Sequence, residues 1–193
     1  MNTNKMIRCA TGLDSVAIQT IQDSYSLDNS HRAFGLGIVN HFYDIGELTR
    51  MVNPFFLLAV SNTHTEKPEK IFGYILAYDK KRIESLRNGH SSDVIHKNLC
   101  RLEGNFIYLD HLALPPKLSV SPSSLAILEG NLVERARIHN IPALYTTVNI
   151  SPEKNDDMIK IFERLKWTLL ERIIKDESRR EFMLYNKMLN GPS

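Results

Sequence analysis

Asp110 stands inside the string FIYLDHLAL, residues 106–114, with apolar neighbours before and after it. A carboxylate in such a setting is costly to bury unless it is paired or put to use. Burial disfavours the charged form and raises the pKa toward that of a working general base. Two roles fit the residue on these grounds, a proton acceptor or a structural partner for a neighbouring backbone or basic group. Strand alternation places Tyr108 on the same face as Asp110, together with Phe106, Leu112 and Leu114. A core aromatic accounts for Tyr108 without any chemistry. His111 falls on the opposite face and reads as a packed histidine. A second candidate feature follows in PPKLSVSPSSLAIL, where Ser119, Ser121, Ser123 and Ser124 crowd the start of a leucine-striped helix. A helix N-terminus offers unpaired N–H donors and the positive end of a dipole, which suits an anion. Serine hydroxyls add donors there, Pro122 removes one, and Lys117 is a nearby charge. Taken alone, the serines serve equally well to cap the helix.

The elements that hold these residues can be read from spacing. Met6 to Ala10 forms a short first strand. From Leu13, apolar residues recur at helical spacing (Leu13, Ala17, Ile21, Tyr25), with Asp14 as the candidate cap. Ser26 to Gly37 is polar and reads as a loop. Asp44 with Glu47 makes a capping box for a helix whose apolar face is Ile45, Leu48, Met51 and Val52. Phe55 to Val60 and Ile71 to Tyr78, joined by a polar stretch, form an antiparallel hairpin. Lys80 to Asn105 carries little signal beyond a short helix around Ile83 to Leu86. Phe106 to Leu114 is apolar on both faces, as a covered central strand should be. Pro122 to His139 is amphipathic, striped by Leu125, Leu128, Leu132 and Ala136, with Ser121 at its N-cap. Ala143 to Ile150 is a strand. Asn155 caps a helix with Met158, Ile159, Phe162 and Leu165 inward, and Asp156 and Asp157 suit its first turn. Trp167 to Ile173 and Glu181 to Met188 complete the strands. The order implies an α/β (α+β) domain: a mixed, mostly antiparallel sheet of about six to seven strands with helices on both faces.

That order, with two local strings, resembles the general N-acetyltransferase (GNAT) superfamily. YLDHLAL, a proline-containing loop and a helix ending in ERAR resemble the family's fourth strand, phosphate loop and third helix. NISPEKNDDMIKIFERLKW resembles its pattern P-x-N-x-x-(A/S)-x-x-F-(Y/H)-E-x-L-G-F, with Asn155 on the Asn, Phe162 on the aromatic and Lys166-Trp167 on the Gly-Phe pair. The likeness runs from about Phe55 to Leu189. It implies transfer of an acetyl group from acetyl-CoA to a primary amine on a small molecule or peptide, without a metal. It also implies that the backbone at Leu112, Ala113 and Leu114 holds the pantetheine arm, and that Asp110 or Tyr108 supplies the base. The phosphate loop departs from the family's (Q/R)-x-x-G-x-(G/A). Its glycine positions fall near Ser123 and Leu125 and its basic position near Val120, leaving Ser119, Val120, Ser121, Ser123 and Ser124 as the anion cradle. Asn155 and Phe162 face the acyl-CoA arm by the same likeness. Phe162 stands where many members carry a tyrosine acid and has no proton to give, so Tyr145 or water is the substitute. The rival within this fold is a catalytically weak or inactive module that binds acyl-CoA or a protein partner.

Composition sets the remaining bounds. The 193 residues carry 24 basic and 22 acidic side chains, a balance of +2. That balance lacks the clustered basic patch of a nucleic-acid-binding domain. Cys9 and Cys100 have no metal-ligand spacing and read as two reduced thiols. No apolar window reaches the roughly 20 residues of a membrane span. The expectation is a single cytoplasmic domain over 1–193, with a loose tail at 190–193 and an edge strand able to form a homodimer.

Overall fold

The computed structural model describes residues 5–25, 37–39, 41–61, 69–87, 94–114, 122–151, 155–175 and 180–189. The expected tail at 190–193 lies outside them, as does the expected loop except for its last residue, Gly37. In chain order the elements are β1 (Lys5–Cys9), a 3-10 turn (Gly12–Asp14), α1 (Ser15–Asp23), β2 (Gly37–Val39), α2 (Ile45–Arg50), β3 (Leu57–Ser61) and β4 (Ile71–Asp79). They continue with α3 (Lys80–Arg87), α4 (Val94–Leu99), β5 (Ile107–Ala113), α5 (Pro122–Ile138), β6 (Ala143–Ser151), α6 (Asp156–Arg164), β7 (Thr168–Lys175) and β8 (Arg180–Met188). The strands join in the order β1-β3-β4-β5-β6-β8-β7, and β2 adds to β5 to make eight. The β5–β6 pair is parallel, and the other five registered pairs are antiparallel. This is the mixed, mostly antiparallel sheet expected, with β2 as an additional strand. β5 is buried at all seven positions, so both of its faces are covered. Among the described residues no helix is long and apolar enough to cross a membrane.

Two compact units divide the chain, the first comprising Met1–Leu76 with His111–Leu132. Its buried apolar groups include Ile18, Leu48, Phe56, Leu57, Leu58 and Tyr74. The capping box of α2 forms as expected: the Asp44 carboxylate accepts from the Glu47 N–H at 2.7 Å, and the Asp44 N–H donates to the Glu47 carboxylate at 2.9 Å. Leu48 and Met51 of that face are buried, whereas Ile45 and Val52 are exposed. The stripe expected on α1 is corrected. Leu13 is 94% exposed, and Ser15, Ile18, Ile21 and Gln22 face inward. The cause is the 3-10 turn, which delays the α-helical phase to Ser15.

Asp14 occupies the N-cap position of α1 as expected, but its side chain makes no capping hydrogen bond to that helix. It takes the Arg8 guanidinium at 2.8 and 2.9 Å, and the Thr11 N–H and hydroxyl at 2.8 Å each. The hydrogen bond from Arg8 is the main reason its pKa falls from 3.8 to about 2. A depressed carboxylate stabilises the fold above its unfolded pKa, and that contribution disappears as pH drops through the folded value. Between about pH 4 and pH 2 the denaturation midpoint should therefore fall more steeply in the wild type than in Asp14→Asn. Parallel slopes over that window would remove Asp14 from the acid response.

The second unit comprises Ala77–Asp110 with Val133–Ser193. Segment 80–105, where a single short helix is expected, holds two: α3 and α4. Ile83, Ile95 and Leu99 anchor them inward. The Lys80 ammonium donates to the Leu102 carbonyl at 2.6 Å and lies 5.8 Å from the Phe106 ring centre. α6 begins as expected, with the Asn155 side-chain oxygen accepting from the Met158 N–H at 3.2 Å. It ends in a Schellman turn: the Trp167 N–H reaches the Phe162 carbonyl at 2.9 Å and the Lys166 N–H the Glu163 carbonyl at 3.0 Å. Lys166 takes φ 62° there, the left-handed conformation that glycine adopts most easily.

Candidate active site

In the second unit, β5 brings Tyr108 and Asp110 into the interior, and both are fully buried. Asp110 is not a lone carboxylate. The Tyr78 hydroxyl, at the end of β4, donates to its Oδ2 at 3.0 Å. The same hydroxyl lies 3.2 Å from Nε2 of His96 on α4. A phenol has one proton, so with that proton on Asp110 the Tyr78 oxygen accepts from a protonated Nε2. His96, Tyr78 and Asp110 thus form a buried chain along which a proton can move. Tyr108 meets the Tyr78 ring edge-on at 5.7 Å, and its hydroxyl pairs with the Thr147 hydroxyl at 2.8 Å. Sequence spacing singles out Asp110 and Tyr108 but gives no sign of Tyr78 and His96, which meet Asp110 only in the fold. Tyr78 closes an apolar strand and looks like core, while His96 lies in a segment with almost no periodic signal.

The two residues assigned to the acyl-CoA arm from the second motif lie in the same unit. Asn155 is engaged at the start of α6, as described above. Phe162 is fully buried, with its ring 5.1 Å from Trp167 and 6.0 Å from Tyr185. Tyr145, expected from the sequence as one of two substitutes for the missing acid, is half-buried and stacks edge-on against Phe106 at 5.0 Å.

In the first unit β5 continues as His111, Leu112 and Ala113, followed by Leu114. His111 is the packed histidine expected, fully buried, with Nδ1 3.0 Å from the Tyr74 hydroxyl and its ring 5.6 Å from Tyr43. Leu112 and Ala113 pair with Ile38 and Gly37 of β2. Leu114 is held at both backbone groups by one side chain: its N–H donates to the Tyr25 hydroxyl at 3.0 Å, and that hydroxyl donates to its carbonyl at 2.8 Å. Burial pushes the Tyr25 pKa well above its ordinary value, which keeps the phenol neutral and able to donate. Of the serine cradle, Ser124 is buried in the first turn of α5. Ser119, Val120 and Ser121 lie outside the described residues, as do Lys117 and the side chain of Ser123. A strand edge of N–H and C=O groups and a helix N-terminus suit an extended amide-bearing arm with a phosphate at its end. Here the edge is already paired with β2. Among the described residues no group of three His, Cys, Asp or Glu side chains could hold a metal.

No protein-family model matches the sequence, and no curated protein does. Solved structures do. NAA60 of Arabidopsis thaliana, in complex with a bisubstrate analogue, is 14% identical and superposes with a TM-score of 0.66 over 98% of this chain and 100% of its own. The putative acetyltransferase yncA of Salmonella typhimurium, with acetyl-CoA, is 14% identical with a TM-score of 0.63 over 98% of this chain and 96% of its own. The ribosomal-protein-S18-alanine N-acetyltransferase of Escherichia coli is 10% identical with a TM-score of 0.62 over 98% of this chain and 97% of its own. The chain has the fold of the GNAT superfamily.

Proposed function

We propose that the protein is an N-acetyltransferase that moves an acetyl group from acetyl-CoA to the primary amine of a small molecule or peptide. The observation that carries this reading is the buried His96–Tyr78–Asp110 chain, which ends on the central strand of a fold shared with an acetyl-CoA-bound structure. Acetyl-CoA supplies the thioester. The chain's own residues supply proton handling and position. Asp110 takes the proton that an ammonium must lose before it can attack, and Tyr78 and His96 stabilise the carboxylate and carry the charge onward. Tyr108, held by Thr147, walls the same side. The backbone of Leu112, Ala113 and Leu114 lines up the pantetheine arm, and an N–H there can stabilise the developing oxyanion. Ser119, Val120, Ser121, Ser123 and Ser124 form the phosphate cradle at the start of α5. Asn155 borders the acyl-CoA arm, Phe162 backs it from within the core, and Tyr145 or water protonates the departing thiolate.

A second reading is favoured by one observation: β2 and Tyr25 engage the backbone of Leu112 to Leu114. It is a module that binds acyl-CoA or a protein partner without turnover. Release of free thiol from acetyl-CoA, followed with a panel of primary amines and amino-terminal peptides, separates the two. Amine-dependent release is the expected result. Measurable acetyl-CoA binding with no release above the uncatalysed rate for any amine would leave the second reading standing.

A further inference from the structure

β5 has two hydrogen-bonding edges. β4 lies along one, with Gly73 so close that an added Cβ would sit 2.9 Å from the Ala113 carbonyl oxygen. On the other edge, β6 pairs with β5 only through Ile107–Leu109. From His111 to Ala113 the partner is instead β2, antiparallel, with Gly37 opposite Ala113, Ile38 opposite Leu112 and Val39 opposite His111. An antiparallel ladder exchanges backbone N–H and C=O groups, the same groups that an extended amide ligand would use to join a strand. Tyr25 extends the closure by one residue, satisfying both the N–H and the C=O of Leu114.

The fit depends on a glycine. A Cβ at Gly37 would lie 2.2 Å from the Leu112 carbonyl oxygen and 2.9 Å from both the Ala113 Cα and the Tyr25 hydroxyl. The first two are backbone atoms that have little freedom to yield, so only a residue without a side chain can approach this far. Ile38, 3% exposed, anchors the segment from its centre. Three residues make a short ladder, strong enough to satisfy the edge and small enough to be exchanged for another strand-like partner.

We infer that Gly37–Val39 is an internal occupant of the acyl-CoA seat, and that acetyl-CoA reaches the Leu112–Leu114 edge only when β2 lifts away. This rests on the reading of that edge as the pantetheine seat. The closed form lowers the apparent affinity by the fraction of molecules that are open. Gly37→Ala pushes β2 off the edge, and Tyr25→Phe weakens the hold on Leu114 and serves if the first variant does not fold.

Calorimetric titration with acetyl-CoA, alongside hydrogen exchange of the Leu112 and Leu114 amides in the free proteins, tests this. Gly37→Ala should bind at least about tenfold more tightly than the wild type, with faster exchange at Leu112, the residue opposite Ile38. Tyr25→Phe should bind more tightly by a smaller factor, with faster exchange at Leu114. Equal or weaker binding by both variants overturns the occlusion and leaves the acetyl-CoA reading intact. No binding by any of the three proteins overturns that reading, and the occlusion with it.

Discussion

With Asp110 as the proposed base, Asp110→Asn should lower kcat/KM for the proposed amine acetylation by about 10²- to 10⁴-fold, the usual contribution of a positioned general base. The substitution is nearly isosteric, and its amide oxygen still accepts the Tyr78 hydroxyl, so the buried neighbourhood survives while the proton acceptor is lost. Asp110→Ala is a poorer probe. It leaves the Tyr78 hydroxyl short of a buried partner, at a cost of about 1–3 kcal/mol that mixes stability into the rate. Tyr78→Phe tests the chain rather than the base. Tyr78 acts through Asp110 as a positioning residue, so its loss should displace the acid limb of the pH–rate profile as well as reduce the maximal rate. Steady-state kinetics of Asp110→Asn at the wild-type pH optimum decide the main question. Unchanged kcat/KM would leave Asp110 as a structural partner of Tyr78 and nothing more.

The largest effect on stability is expected at Phe162. Its ring is fully enclosed, with Trp167 and Tyr185 against it, and α6 is fixed to the sheet through it. Truncation to alanine removes that contact area and leaves a cavity that a packed aromatic cluster cannot fill, which costs about 3–5 kcal/mol. A urea midpoint lowered at constant slope is the measurement. Unchanged stability would mean that the cluster relaxes around the loss. Phe162→Tyr is the informative companion. The family resemblance puts a proton-donating tyrosine at this position, yet the pocket around Phe162 is sealed. The added hydroxyl should cost stability and leave kcat unchanged; a rise in kcat would give position 162 a direct part in thiolate protonation.

Much of this architecture was legible because it obeys strong local rules. FIYLDHLAL reads as a covered strand because apolar residues fall on both of its faces, and its seven strand positions are indeed all buried. Asp44 with Glu47, and Asn155 ahead of Asp156 and Asp157, announce helix starts through chemistry that acts within one turn. Where the reading failed, longer-range geometry intervened. Asp14 looked like a cap because it precedes a helix, but Arg8 on β1 and the Thr11 turn claim its carboxylate. That claim winds a 3-10 turn that turns Leu13 outward. Gly37–Val39 is too short to carry a period of two, and its status as a strand comes entirely from the edge it meets. The site was half visible for the same reason. Asp110 is conspicuous as a charge among apolar residues, whereas Tyr78 and His96 gain meaning only when β4 and α4 bring them to it.

The turn after α6 has a consequence for how sequence and shape can part company. Lys166 stands on the position where the resembling motif carries glycine, yet its backbone keeps the left-handed conformation, at a cost of about 1–2 kcal/mol for a residue with a Cβ. The Trp167 and Lys166 amides and the buried Phe162 and Trp167 rings hold the turn without glycine's help. Such a position is a point of drift. The letter can change while the bend endures, and the exposed lysine head is then free to acquire interactions that a glycine never had.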